Sequence, residues 1–173
     1  TTVYGPNYWC KTQPITDLTN DKSQVLRDIQ TMKADGHTNI HQGAVWGWRV
    51  LSPSEPFTKG REPKKNEEEE HVRVMIVMTD GENTYQGQNS FNKTRINAYG
   101  YGTEERLGNG VDTYWEIQDK MDDRLLQTCS NAKKGGVQVY TVAFQISSSS
   151  TINMMKNCAT TPAMAFDAKS NSA

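Results

Sequence analysis

Two short segments of this 173-residue sequence carry side chains that could do chemistry. The first is Asp80, which ends the apolar run Val74-Met75-Ile76-Val77-Met78-Thr79 and is followed by Gly81-Glu82-Asn83-Thr84. In open α/β sheets, ligands bind outside the carboxyl ends of the strands. A carboxylate at such an end, beside a glycine that lets the backbone turn sharply, is placed to hold a hard cation. The plain alternative is an Asp-Gly turn after a buried strand. The second segment is Asp35-Gly36-His37-Thr38-Asn39-Ile40-His41-Gln42-Gly43. Its two histidines stand at i and i+4, which would let them share a transition metal if the segment were helical, the rival reading being a metal-dependent hydrolase. Gly36 and the lack of the glutamate pattern of a zinc enzyme speak against that reading.

The elements that must position these residues follow from periodicity and punctuation. A run as apolar as 72–79 predicts a strand buried on both faces, as in a parallel sheet with helices on each side. Upstream, Asn20 or Asp21 caps a helix whose apolar face is Val25, Leu26, Ile29 and Met32, with Gly36 ending it. A short helix through Ala44, Val45, Trp48 and Leu51 is expected after the Thr38 loop, stopped by Pro53; its tryptophans read as packing residues. A helix over about 112–134 carries Ile117, Met121 and Leu125 at four-residue spacing, widened by Leu126, and ends at Gly135-Gly136. Strand 137–144 is apolar on both faces. A polar link over Ser147–Ser150 leads to a helix near 151–158, with Ile152, Met155 and Met154 inward, and a short strand near 163–167 ends at Asp167. Alternating strands and helices predict parallel βαβ units. Two long connections, 53–71 with its Glu67-Glu68-Glu69-Glu70 run and 81–110, read as a solvated loop and as the rim beyond Asp80.

Composition bounds the function. The length suits one domain, 1–173, with a sizeable core. A net charge of −1 gives no global field that favours nucleic acid or anionic lipid. No glycine-rich phosphate loop follows a strand, and basic residues lack the aromatic interleaving of a nucleic-acid groove. No apolar stretch approaches the roughly 18 residues of a membrane span. No signal peptide is present, and targeting segments are expected to have been removed or never included. Mean hydropathy is −0.76, which fits long exposed loops around a compact core. The three cysteines are Cys10, Cys129 and Cys158. Cys129 and Cys158 lie in helical segments flanking the strand of Tyr140. A disulfide between them, which needs an oxidising compartment, and a pair of inert buried thiols are equally open. Cys10 would then have its mate outside this chain.

Several blocks together resemble the von Willebrand factor A family. They are Gly36-His37-Thr38-Asn39-Ile40, Trp46-Gly47-Trp48-Arg49-Val50-Leu51-Ser52-Pro53, Pro56-Phe57, Met78-Thr79-Asp80-Gly81, Tyr99-Gly100-Tyr101-Gly102, Val139-Tyr140-Thr141-Val142-Ala143-Phe144 and Cys158-Ala159-Thr160. Within that family the text looks like the region found in bacterial Tad (Flp) pilus-assembly proteins of the TadG-like group, from about Cys10 to Ala168. The resemblance implies an α/β fold of von Willebrand A type, doubly wound, with a mostly parallel sheet and helices on both faces. It assigns a metal-ion-dependent adhesion site (MIDAS) to Thr38 and Asp80, with Asn39, Gly81, Glu82 and Asn83 on its rim. The ion would be Mg²⁺ or another divalent cation such as Ca²⁺ or Mn²⁺. One coordination position would be left for an acidic side chain of a protein partner, a pilus or envelope component.

The remaining three ligands of the family site come from an Asp-x-Ser-x-Ser motif after the first strand, and this chain lacks that motif. Asp21-Lys22-Ser23-Gln24-Val25 has no second serine, and Asp167-Ala168-Lys169-Ser170-Asn171-Ser172 is one residue too long. The first strand and the closing helix of the fold are absent too, so the chain reads as the second part of a larger domain with weak metal affinity. The implied protein is not an enzyme. It acts in adhesion or assembly in the bacterial cell envelope, on the periplasmic or extracellular side, with a membrane anchor in the parent protein. A structural domain with a vestigial metal site remains the alternative.

Overall fold

The computed structural model of the chain describes residues 12–62, 71–85, 98–111 and 113–170. Cys10, the Glu67–Glu70 run and Phe91 lie outside the described residues. The chain divides into two compact units, Thr1–Gly36 and His37–Ala173. In the first, the Asp21 carboxylate accepts the amides of Ser23 and Gln24 and so starts helix α1, Lys22–Thr31. The helix ends before the expected stop at Gly36. Met32 is already extended, and the Thr31 hydroxyl donates to the Asp28 carbonyl, competing with the helical ladder. None of the α1 residues is buried, and Leu26, Ile29 and Met32 are exposed.

The second unit holds the sheet. Helix α2 spans Ile40–Val50, and strand β1 spans Arg73–Thr79. Helix α3, Tyr114–Lys134, opens with a capping box in which Thr113 and Glu116 satisfy each other's backbone amides. Gly136, at φ +78°, takes the left-handed conformation that lets the chain leave α3 and enter β2, Val137–Phe144. Helix α4, Ser149–Cys158, is capped by the Ser148 side chain, so the serine link forms the cap and first turn of the helix. A 3-10 turn at Pro162–Met164 leads to β3, Ala165–Ala168. Asp167 therefore lies inside β3 rather than ending it, and it pairs with Lys169.

The sheet is three-stranded and all parallel, in the order β1-β2-β3. Register pairs Met75 with Val139 and Val77 with Thr141, so alternate residues of both strands face one way. On that face they meet Ile40 and Ala44 of α2, Leu125, Cys129 and Ala132 of α3, and Met154, Met155 and Cys158 of α4. The Thr141 hydroxyl donates to the Met155 carbonyl, so this polar group is not buried unpaired. A second cluster, Tyr85, Tyr99, Ile117 and Met121, fastens the segment after residue 98 to the front half of α3.

The structure corrects the expectation that β1 is buried on both faces. Ile76 is 67% and Met78 63% exposed, and Val74 and Phe166 are exposed beside them. Within this unit α2, α3 and α4 all pack on the opposite face, so among its described residues helices cover that one side of the sheet. The apolar run misled because hydrophobicity reports what a strand tolerates on each face, not which faces its own unit covers.

Cys129 and Cys158 form a disulfide, with sulfurs 1.97 Å apart and both residues fully buried, which decides the question that their spacing left open. It ties α3 to α4 across β2. Lys133 adds a second tie by donating to the carbonyls of Asn157 and Ala159. Closing a loop over a sequence separation of 29 should stabilise the fold by about 3–4 kcal/mol through the unfolded chain. Cys129→Ala/Cys158→Ala is therefore expected to lower the unfolding free energy from urea titration by that amount; a loss under about 1 kcal/mol would contradict the entropic account.

Candidate functional site

The site forms where β1 ends. The Thr79 hydroxyl donates to the Gly81 carbonyl at 2.8 Å and accepts the Gly81 amide at 3.2 Å, which folds the chain tightly around Asp80 and leaves its carboxylate exposed. The Thr38 loop is bolted to this turn. The Thr38 amide donates to the Thr84 hydroxyl at 2.9 Å, and the Thr84 amide donates to the Thr38 carbonyl at 2.9 Å. Two residues further on, the Ile40 amide donates to the Asn83 side-chain oxygen Oδ1 at 2.7 Å. A side-chain carbon at Gly81 would stand 3.5 Å from the Thr38 hydroxyl, so the two loops are in van der Waals range.

Thr38 and Asp80 line one cavity of about 360 Å³, together with Gly43 and Gly47 of α2 and with Met75 and Val77 of β1. Both backbone groups of Thr38 are engaged, yet its hydroxyl makes no hydrogen bond among the described residues. Asp80 makes neither a hydrogen bond nor an ion pair among them. Two uncommitted oxygen donors thus sit in a neighbourhood where the other polar groups are spoken for. A hydroxyl and a carboxylate suit a hard cation, which takes oxygen ligands and keeps several waters, and not zinc or copper. Their kind fits; their number is small. Among the described residues no group of three or more His, Cys, Asp or Glu side chains is placed to share a metal.

The rim residues fall in different places. Gly81 is half-buried against Thr38, and Glu82 is half-buried with its carboxylate accepting from Gln118 of α3. Asn39 caps α2 by accepting the Gln42 amide, and it also accepts the Tyr99 hydroxyl. Asn83 is not on the rim: it is fully buried beneath it, with its amide nitrogen donating to Asp122 of α3 at 2.7 Å. Burial pushes the Asp122 carboxyl above its ordinary range, against the lowering effect of the Asn83 hydrogen bond and with the help of neighbouring Asp119, Glu82 and Asp123. Thr84 and Asp122 support the site without having been singled out by the sequence, and Tyr99, quoted only within a resemblance block, does so too. For Thr84 the signal was adjacency to the Thr79–Asn83 run; for Asp122 it was a position flanking the Met121–Leu125 stripe.

The histidine pair does not assemble. His37 precedes α2, while His41 lies in its first turn and is buried, with Nδ1 2.8 Å from the Tyr99 hydroxyl and its ring stacked on Tyr99. Burial first, and then the Arg124 guanidinium, hold the His41 pKa below its ordinary value. Arg124 itself lies over the Tyr99 ring.

No family profile and no curated relative matches the sequence. Among solved structures, the crystal structure of the pilus adhesin SpaC from Lactobacillus rhamnosus GG is similar in fold. The TM-score is 0.50 and the identity 16%, over 87% of this chain and 19% of that one. The chain thus spans about a fifth of that adhesin's length. The shared feature is a small, mostly parallel α/β fold.

Because His41 is buried in a form that resists protonation, the unfolded chain takes up a proton first as pH falls through about 6.5. Stability should fall from pH 7.5 to pH 5, and His41→Gln should flatten that part of the profile in urea titrations. An equally steep profile in the variant would remove His41 from the explanation.

Proposed function

We propose that this chain is a cation-dependent protein-binding module of von Willebrand A type, serving adhesion or assembly of a Tad-type pilus in the bacterial cell envelope. The observation that carries the proposal is the pair of uncommitted oxygens, the Thr38 hydroxyl and the Asp80 carboxylate, lining one cavity at the carboxyl end of β1. The motif resemblance names the same two residues. The buried disulfide agrees with an oxidising compartment, outside the cytoplasm. The fold likeness to a pilus adhesin points the same way.

In this reading Thr38 and Asp80 hold Mg²⁺ or a related divalent ion, which supplies a positive centre for an acidic side chain of the partner protein. The chain's own residues do the rest. The Thr79–Gly81 turn presents the Asp80 carboxylate, and the Thr84 hydrogen bonds hold the Thr38 loop beside Gly81 of that turn. Two protein donors make a weak site, because a hard cation gains affinity from the number and charge of its ligands.

Titration of the chain with Mg²⁺, followed by backbone amide resonances, should shift Thr38, Asp80 and Gly81 with millimolar affinity. Asp80→Ala should abolish those shifts without altering the urea midpoint, since an exposed carboxylate with no partner adds little to stability. Equal shifts in the variant, or none in the native chain, would leave a structural domain with a vestigial site.

A further inference from the structure

We infer that Asn83 is the positioning residue of this site, a buried clasp that joins the Thr38 loop, the Asp80 turn and α3 into one unit. The inference rests on the proposed cation site for its purpose, but its geometry stands alone. A fully buried asparagine that spends both ends of its amide on different elements is a connector, since each end would be an unpaired polar group if its partner moved. Its carbonyl oxygen takes the Ile40 amide, which is the first residue of α2 and would otherwise lack an acceptor at the helix start. Its nitrogen reaches the Asp122 carboxylate. Asn39, the cap of the same helix, lies between Ile40 and Thr38, so the grip on Ile40 acts two residues from the candidate ligand. The Thr84 hydrogen bonds to Thr38 complete the clasp from the next position along.

This arrangement also gives α3 a line to the site. A change in how Asp122 is held must act on the Ile40 amide through one rigid planar group, and a partner or ion that shifts the Thr38 loop must act on Asp122 in return. The donor and acceptor ends can be exchanged on paper. Asn83→Asp with Asp122→Asn keeps an acceptor for Ile40 and reverses the sense of the link to α3, whereas Asn83→Asp alone sets two carboxylates against each other.

The experiment uses the full chain and two readouts. Amide hydrogen exchange at Thr38 and Ile40, referenced to amides in β2, reports the clasp without any ion. Broadening of the Thr38 and Asp80 resonances by Mn²⁺ reports the site. Asn83→Ala and Asn83→Asp should each speed exchange at Thr38 and Ile40 by about tenfold relative to β2 and weaken the Mn²⁺ broadening, and the exchanged double variant should recover both. Asn83→Asp, which keeps the side-chain volume and the acceptor for Ile40, carries the test with the double variant if Asn83→Ala does not fold. Unchanged exchange at Ile40 in the folded single variants, or no recovery in the double variant, overturns the inference. If the native chain shows no Mn²⁺ broadening, the cation reading fails and the exchange readout alone decides the clasp.

Discussion

Thr38 has both of its backbone groups bound to Thr84, and the rest of the site depends on this. Forty-six positions separate the two residues, so loop closure works against their meeting. The reciprocal pair of hydrogen bonds, each contributing about 1 kcal/mol net, offsets part of that entropy. The remainder comes from the apolar packing of α2 on β1 through Ile40, Ala44, Met75 and Val77. Because the backbone is held by its own amide and carbonyl, the Thr38 side chain is left with nothing to do inside the fold. The Asp80 carboxylate is left idle for a similar reason, as the Thr79 hydroxyl satisfies the turn.

Much of the fold was legible in the sequence, for identifiable reasons. The α3 stripe of Ile117, Met121 and Leu125 is buried, and Gly135-Gly136 ends the helix as its lack of side chains suggests. The strands at 73–79 and 137–144 fall where β-branched residues cluster. What the sequence could not say was which face of β1 its own unit would cover. Period-two analysis of 74–79 finds apolar residues at every step, and only the positions of α2, α3 and α4 separate Met75 and Val77 from Ile76 and Met78. The site was half legible. A strand-end carboxylate followed by glycine is a local pattern, and Asp80 is where that pattern puts it. The burial of Asn83 and the tie to Asp122 are not local. They arise from a meeting of residues 39 positions apart that nothing in the neighbourhood of either announces.

The histidines teach the same lesson from the other side. Their four-residue spacing would matter only on a continuous helix, and the Asn39 cap sets the helix boundary between them. His41 then goes inward to Tyr99, where it helps hold the segment after residue 98 against α3. A spacing argument is thus only as good as the element boundary on which it is laid.

The bond between Cys129 and Cys158 has a kinetic consequence. Both sulfurs sit in the middle of the packed layer between α3 and α4, out of reach of any soluble thiol. Exchange at that bond must wait for the layer to open, so at reductant concentrations where exchange outpaces reclosing the rate of reduction is the opening rate. The same shielding works in the forward direction. The two thiols have to meet before the layer closes over them, and the oxidant that joins them must act on a chain still loose enough to admit it.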